Sequence, residues 1–591
     1  MLNSRATAAR RTGVRCSAPP RHRPSTCPSS AKARSQYFGT RRFMKILGFW
    51  PRRVSGGARL VVVVMGEWSG ETVGPDVWET CRELIPAGSV FAFLAEHRGA
   101  LFPVEMFADM YPSANGRPSM PPQILAAAIT LQALHGLSDF ETVQELRCDL
   151  RWKAACGLGL NDMAFDPSLL AYFRRRLGRS TRPNRVFEAV REVVKATGVL
   201  KGKHRRALDS TVLDDAVATQ DTVTQIISAI RRVIREVPGG EETAAQWCRA
   251  HDYTDPGKPR IAWADEQARA TLIDALVTDA INLLGHLPER ELGEKAANAV
   301  GLLALVAGQD VEPAEDSDGR DGRWRIARRT VADRTVSTVD ADARHIHKNR
   351  TRHQDGFKGH ASFEPETGLF TAVALTSGHG SDNHEAAVAT RLLADEEPDT
   401  RLTVLGDSAY GTGDLRAHLQ ADGHTPVIKP PPLRQAVPGG FTIDDFHIDL
   451  AAGTATCPAG HTANLGQVKA DGARTAQFKH LCTNCPLRGR CTRSKTGRTL
   501  NVHPQRELLS AARHQAATDP AWQDEYRRWR PPVERAIAWL VAKGNRRVRY
   551  RGVIANNIWL HHRAAALNLR RLINLGLTRT SGTWHLTPAT P

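Results

Sequence analysis

Glu534 stands where it could bind a metal ion beside a polyanion. It lies in Arg530-Pro-Pro-Val-Glu-Arg, at the margin of an apolar stripe with helical spacing, and arginines crowd both sides of it. Pro531 and Pro532 suit a first helical turn and predict that a helix begins there. An acid at the edge of a buried face among cations indicates a metal ligand. For Glu534 alone, a surface carboxylate paired with arginine is the simpler interpretation.

Two further acids follow apolar stretches that are typical of strands. Asp209 lies in Arg-Arg-Ala-Leu-Asp-Ser-Thr, and Asp407 follows Leu-Thr-Val-Leu-Gly. Open α/β sheets bind ligands at the carboxyl ends of their strands. Three carboxylates on two strands and a helix could hold two divalent ions such as Mg²⁺, which prefers oxygen ligands. Two ions about 4 Å apart would stabilise the attacking and leaving oxygens of an in-line displacement.

The segment before Asp209 is predicted to be a helical domain, residues 65–204. Pro121-Pro122 begins an Ala/Leu-rich helix, and Ser138 with Glu141 has the spacing of a capping box. Helices joined by a tight turn suit DNA docking, and three consecutive cations on a later helix suit phosphate contacts. Those cations are Arg174, Arg175 and Arg176. The alternative is a packing domain whose arginines are only solvated.

Sheet and helix signals alternate after Asp209. A helical insertion is expected over residues 215–323, ending in an acidic linker, and Asp214 and Asp215 are interpreted as capping or surface acids. Asp340-Ala-Asp342 is expected to open a polar strand. A hairpin with its turn at Thr367-Gly368 follows, and then a β-α-β alternation around Asp407. Together these signals predict an α/β catalytic core preceded by an all-α domain.

Four cysteines mark a second insertion, residues 431–520. Cys482-x-x-Cys485 is a short chelating pair, and Cys457 and Cys491 complete a set that fits a closed tetrahedral Zn²⁺ site. Such a site would be structural, because nothing in the pattern indicates an open coordination position. Free thiols are the alternative interpretation.

The charge of the chain is concentrated at its beginning. The net charge is +18, but residues 1–64 contain fourteen Lys or Arg and no acid, which leaves 66 basic against 62 acidic residues. The binding of a polyanion must therefore come from local patches. The composition of residues 1–64, the leader, favours the interpretation that the start codon is set too early and that Met65 is the true start. A disordered basic arm and an organellar transit peptide are the alternatives. No stretch approaches the ~20 apolar residues of a membrane span.

The sequence resembles the DDE transposases of bacterial insertion sequences, whose catalytic core is ribonuclease H-like. The similar stretches are Leu-Asp209-Ser-Thr, Gly-Asp407-Ser-Ala-Tyr-Gly, Arg530-Pro-Pro-Val-Glu534-Arg, Arg549-Tyr-Arg-Gly and Ala565-Ala-Leu-Asn-Leu-Arg-Arg571. The resemblance covers residues 65 to 580. It implies that Asp209, Asp407 and Glu534 are the catalytic, metal-binding triad, and that residues 205–580 form the catalytic domain with residues 581–591 as a tail.

One branch of that family carries a Tyr seven and an Arg four residues before the Glu, and a Lys seven after it. Arg530 fits, whereas Tyr526 lies one position too early and Val541 occupies the Lys position, the nearest lysine being Lys543. The cations predicted to contact DNA around Glu534 are Arg530, Lys543, Arg546, Arg547 and Arg549.

The function implied by the resemblance is binding of transposon ends, metal-dependent strand cleavage and strand transfer. Mg²⁺ or Mn²⁺ is the expected cofactor, terminal inverted repeats and target DNA are the expected partners, and a homodimer on DNA in the cytoplasm, at the bacterial nucleoid, is the expected assembly. A ribonuclease H-like nuclease without strand transfer and a DNA-binding protein that has lost catalysis are the alternatives.

Overall fold

Alternating apolar strands build a six-stranded mixed sheet whose two faces belong to separate cores. The computed structural model describes residues 72–111, 119–288, 291–313, 324–326, 333–347, 353–397 and 400–587. The leader of residues 1–64, Met65 and the acidic segment 314–323 lie outside these ranges.

The α-helices are numbered in chain order. They are α1 Val77–Cys81, α2 Val90–Leu101, α3 Pro122–His135, α4 Asp139–Cys148, α5 Leu150–Cys156, α6 Ser168–Arg179, α7 Arg185–Thr197, α8 Thr222–Glu236, α9 Gly240–Trp247, α10 Glu266–His286, α11 Glu294–Gln309, α12 Glu385–Leu393, α13 Gly413–Ala421, α14 Arg488–Cys491, α15 Arg506–Thr518, α16 Pro520–Val541 and α17 Val553–Asn574. Short 3₁₀ turns occupy Arg82–Leu84, Val104–Met110, Ser381–Asn383, Ile443–Asp445 and Lys479–Cys482.

The strands are likewise numbered in chain order. They are β1 Arg205–Asp214, β2 Val311–Pro313, β3 Trp324–Ile326, β4 Arg344–His347, β5 His353–Glu364, β6 Leu369–Ser377, β7 Thr403–Gly406, β8 Thr425–Ile428, β9 His447–Asp449, β10 Thr454–Thr456, β11 Thr462–Asn464, β12 Arg474–Gln477, β13 Thr499–Val502, β14 Leu577–Thr580 and β15 Thr583–Leu586.

The central sheet places β1 in its middle. The order is β4-β5-β1-β7-β8, with β6 also paired to β5. β5 runs antiparallel to β1 and β6 antiparallel to β5, whereas β1, β7 and β8 are parallel. One face packs under α12 and α13 and the other under α16 and α17. The predicted hairpin and β-α-β alternation are confirmed.

The N-terminal helices begin and end where local chemistry predicts. Ser138 and Glu141 form both hydrogen bonds of a capping box at the start of α4. Gly136 ends α3 in the left-handed region at φ 72°, and a Cβ there would meet the Lys543 carbonyl at 2.4 Å. Glycine is therefore required where the end of α3 meets the chain after α16.

The N-terminal helices share one core with the sheet. Helix α17 is buried along most of its length and contacts α3, α7 and β6. Apolar residues from both sides of the predicted boundary at residue 204 thus pack together, and the domain boundaries themselves stay predictions. Among the helices that the structure describes, none has the length and apolar character to cross a membrane.

The expected polar strand at Asp340-Ala-Asp342 is a turn, and β4 begins only at Arg344. The Asp340 and Asp342 carboxylates accept hydrogen bonds from the backbone amides of Gly552 and Val553 at the start of α17. The prediction was wrong because these acids satisfy amides at a helix N-terminus, which a turn allows and a strand does not.

The helix that carries Glu534 also begins earlier than predicted. Helix α16 starts at Pro520, where the Asp519 side chain accepts from two backbone amides, and it continues through Pro531 and Pro532. Trp522, Tyr526 and Trp529, which lie on its first turns, pack against the core. That tertiary packing outweighs the cost of two interior prolines, which local sequence preferences cannot reveal.

Candidate active site

Asp209 lies on the central strand with its carboxylate largely buried. Its Oδ1 accepts a hydrogen bond from the Ser210 amide at 2.8 Å, and its Oδ2 lies 3.0 Å from Nη2 of Arg530. Burial raises the pKa of Asp209, and the charge of Arg530 offsets part of that rise. The carboxylate is thus held in place from two sides by groups that favour its ionised form.

Asp407 is brought beside Asp209 by the parallel register of two strands. Ala207 of β1 pairs with Leu405 of β7, so each acid lies two residues beyond a paired position. The Asp407 carboxylate accepts from the Ala409 amide at 2.9 Å. The charge of Asp407 also contributes to the raised pKa of Asp209.

Glu534 approaches these strands from helix α16. The helix packs on β1, β7 and β8, and the Glu534 side chain is exposed. Tyr526 lies two turns earlier on the same helix. Burial raises the pKa of Tyr526, and the charges of Asp407, Asp209 and Glu534 all add to the rise. The Tyr526 hydroxyl therefore lies within electrostatic range of all three acids.

Arg530 supplies the positive charge at this site. Its side chain is mostly buried, and Nη1 donates to the Leu208 carbonyl at 3.1 Å while Nη2 faces Asp209. A guanidinium therefore stands at the carboxylate to which a metal ion would bind. The acids offer only oxygen donors, which suits Mg²⁺ or Mn²⁺. Across the part of the chain that the structure describes, no three His, Cys, Asp or Glu side chains have the arrangement of a metal ion's ligands.

A second polar cluster lies behind Asp209 on the opposite face of the sheet. Ser210 Oγ donates to Glu385 Oε1 at 3.1 Å, and Lys358 Nζ donates to the same oxygen at 2.9 Å. The fully buried Tyr410 hydroxyl has no hydrogen-bond partner within the described ranges. Sequence reasoning missed this cluster; the signal available was Tyr410, three residues after Asp407, and the polar alternation along β5.

Asp215 is not the surface acid that the sequence predicts. It is buried, and its carboxylate oxygens make no hydrogen bond of ordinary geometry to any described residue. Burial raises its pKa to about 6, the Asp340 carboxylate adds to the rise, and the nearby Ala216 and Val217 amides partly offset it. The prediction was wrong because the end of β1 pairs with the chain at Arg546 and Val548, which covers Asp215.

The cations predicted to contact DNA divide into two groups. Some are half-buried: Arg174 pairs with Asp139 and lies over the Tyr550 ring, and Arg549 donates to the Gly136 carbonyl. The exposed ones are Arg175, Arg176, Lys543, Arg546 and Arg547. Of these, Arg546 and Arg547 donate to atoms of the chain just after Asp209, so they extend a cationic border beside the acids.

The four predicted zinc ligands line a single cavity. Cys457, Cys482, Cys485 and Cys491 surround it together with His461. None of the four forms a disulfide. The Arg498 amide donates to Cys482 Sγ at 3.5 Å, and burial raises the pKa of Cys491.

Two family models match the chain. Residues 456–573 match the model described as Transposase DDE domain, and residues 79–176 match the model described as Transposase domain (DUF772). The first match contains Glu534 and the four cysteines, and the second covers the end of α1, helices α2 to α5 and most of α6. Comparison with curated proteins and with solved structures finds no match.

Proposed function

We propose that this chain, which matches two transposase family models over residues 456–573 and 79–176, is a DDE transposase that binds the ends of an insertion sequence and catalyses divalent-metal-dependent strand cleavage and strand transfer. The observation that carries the proposal is the in-register placement of Asp209 and Asp407 beneath the helix of Glu534. Mobile-element transposition is the function of the family, whereas the ends, the ions and each residue's role are our proposals.

We propose that the catalytic core is ribonuclease H-like. Apart from β4, the strands β5 and β6 extend the sheet on one side of β1, each antiparallel to its neighbour, and β7 and β8 extend it in parallel on the other side. That order supports the assignment. In that order Asp209, in the middle of β1, lies beside the end of β7, which Asp407 directly follows.

Asp209, Asp407 and Glu534 would hold two Mg²⁺ or Mn²⁺ ions, and their oxygen-only donor set fits such ions. When bound, the ions would supply charge neutralisation at the scissile phosphate and activation of the attacking oxygen. When DNA is bound, the Arg530 guanidinium would leave the Asp209 carboxylate and contact a phosphate oxygen of DNA instead. The Ser210 and Ala409 amides keep the two aspartates oriented throughout.

We propose that the exposed cations contact phosphate. Arg175 and Arg176 lie on α6, and Arg546 and Arg547 border the acids. The ion pair of Arg174 and the carbonyl contact of Arg549 favour a structural contribution from those two side chains. Two ends must be joined in one reaction, so we propose a homodimer on DNA at the nucleoid.

We propose that the cysteine cavity binds one structural Zn²⁺. The four reduced thiols on one cavity and the amide that donates to Cys482 Sγ support this donor set. The thiolates would draw closer together around the ion. Purified protein should retain about one Zn²⁺ per chain after dialysis, and Cys482→Ser with Cys485→Ser should remove it.

The full-length protein tests the catalytic proposal with labelled DNA that carries the gene's own flanking ends. Wild type should cleave at the element boundary in Mg²⁺ or Mn²⁺, and Glu534→Gln should lose at least 100-fold in rate because one ligand loses its charge. Glu507→Gln, an exposed acid on α15, is the matched control and should retain cleavage.

Normal cleavage by Glu534→Gln would contradict the assignment of the catalytic triad. Cleavage without joining of a 3′ end to target DNA would indicate a nuclease. Binding without cleavage in wild type would indicate a DNA-binding protein that lacks catalysis.

A further inference from the structure

The cysteine cavity sits in a small β module, residues 441–502, with a core of its own. Strands β9 to β11 and the β12–β13 hairpin pack around Phe446 and Phe478, and Cys482 and Cys491 belong to the same cluster. Small cores of this kind commonly need a metal or disulfides for stability. The module has no disulfide.

The charge of this module is divided along the chain: Asp444, Asp445 and Asp449 precede residue 457, and all of its Lys and Arg residues follow it. Residues 457–500 contain eight Lys or Arg and a single acid, Asp471. The cations are Lys469, Arg474, Lys479, Arg488, Arg490, Arg493, Lys495 and Arg498. By contrast, the chain after residue 64 is almost balanced in charge. A charge excess confined to one short segment indicates a local polyanion contact.

Several of these cations are left available to a ligand. Lys479, Arg493 and Lys495 are exposed and form no ion pair with any residue that the structure describes, and exposed Arg490 lies over the Phe441 ring. We call the segment that carries them, residues 479–498, the basic loop. Residues 479–498 themselves contain no Asp or Glu.

Two buried or half-buried arginines connect the basic loop to the cysteines. Arg488 donates to the carbonyls of Cys482, Ser494 and Lys495. Arg498 donates to the Cys491 carbonyl at 3.1 Å, and its own amide donates to Cys482 Sγ. The conformation of the basic loop is therefore tied to the backbone at Cys482 and Cys491 and to the Cys482 thiol.

We propose that the basic loop contacts the phosphate backbone of duplex DNA, and that metal binding at the four cysteines orders it for this contact. The inference rests on the proposed function in one respect, that DNA is the substrate, and it is independent of the catalytic acids. Recognition would be by charge and would not select sequence, because the loop offers point charges for phosphates.

The test measures binding of a short duplex at several salt concentrations by full-length Glu534→Gln protein in Ca²⁺, so that cleavage plays no part. Arg493→Gln with Lys495→Gln should weaken binding roughly 10-fold at low salt, and should reduce the slope of log K against log salt by about 2. Arg260→Gln with Arg269→Gln, two exposed cations of the helical insertion, removes the same charge and should leave the slope nearly unchanged.

An unchanged slope in the Arg493/Lys495 variant would overturn the inference while the proposed function stands. Absence of DNA binding by the parent protein would instead count against the proposed function. Cys482→Ser with Cys485→Ser should lose Zn²⁺ and show the same reduced slope. Loss of Zn²⁺ with an unaltered slope would refute the metal dependence, and an effect seen with single-stranded RNA but not duplex DNA would refute the partner.

Discussion

At the scale of single residues, charges buried without a full set of partners lie close to the proposed site. Asp209 is neutralised by Arg530 and an amide, whereas Asp215, six residues along the same chain, has only weak backbone compensation. Asp209 is the acid that the reaction would use. Asp215 lies under the segment that follows Glu534, where it lowers stability at neutral pH.

Asp215→Asn should stabilise the protein at pH 7 by on the order of 1–3 kcal/mol, because a buried carboxylate with incomplete hydrogen bonding is removed. The pKa of Asp215 is raised to about 6 in the folded protein and is about 3.9 in an unfolded chain. The wild type therefore loses stability as the pH rises from about 4 to 6. The difference between variant and wild type should vanish below about pH 4.

Urea denaturation at a series of pH values measures this difference. Asp524→Asn, an exposed acid on α16, should show almost no effect at any pH. If Asp215→Asn is less stable than wild type at pH 7, the Asp215 carboxylate makes a stabilising interaction in the folded protein, for example with a cation.

At the scale of elements, helix α16 contains two prolines in its interior and has an apolar face that fixes its position. Pro531 and Pro532 lack the amides that would bond to the preceding turn. Val533, Ala536 and Leu540 are buried against the core, so packing holds the helix continuous through the prolines and carries Glu534 to the sheet.

Pro531→Ala with Pro532→Ala should raise the free energy of unfolding by about 2 kcal/mol or more. Each change restores a helical amide, and only part of that gain is offset by the greater freedom of the unfolded chain. Chemical denaturation measures the change. Pro520→Ala, at the first helical position where proline is tolerated, should alter stability by less than about 1 kcal/mol. A loss of stability in the double variant would show that the rigidity of the two prolines is needed within the helix.

At the scale of the whole molecule, one buried arginine joins the N-terminal helices to helix α16, which carries Glu534. Arg563 of α17 donates to the carbonyls of Ala133 and Leu134 at the end of α3, and to those of Trp539 and Leu540 at the end of α16. Burial lowers its pKa to about 10, so it stays charged at neutral pH. A cation among helix C-terminal carbonyls is favoured by both hydrogen bonds and the helix dipoles.

Arg563→Met should destabilise the protein by about 3 kcal/mol or more, because carbonyls at two helix ends lose their donor. Arg551→Met, an exposed arginine just before α17, should change stability by less than about 0.5 kcal/mol. Denaturant unfolding followed by tryptophan fluorescence gives both values. Equal stability of the Arg563 variant and wild type would show that water replaces the guanidinium at these helix ends.

The sequence by itself determined the elements whose causes are local. The capping box at Ser138, the proline start of α3, the strands before Asp209 and Asp407 and the chelating spacing of the cysteines follow from neighbouring residues. The three acids could also be singled out, because each follows an apolar run or stands at the margin of an apolar helical face, and the family resemblance grouped them as a set. The sequence placed Asp209 at the end of its strand, whereas β1 continues to Asp214 because it pairs with β5 along that length.

Tertiary structure decided what depends on distant partners. Arg530 reaches Asp209 across more than three hundred residues, the pairing of β1 with the chain after α16 buries Asp215, and core aromatics carry α16 through two prolines. The carboxylates of Asp340 and Asp342 accept hydrogen bonds from backbone amides at the start of α17, more than two hundred residues away. Local preference amounts to tenths of a kcal/mol per residue for most residues, whereas burial and charge pairing contribute more and arise only once the chain is folded.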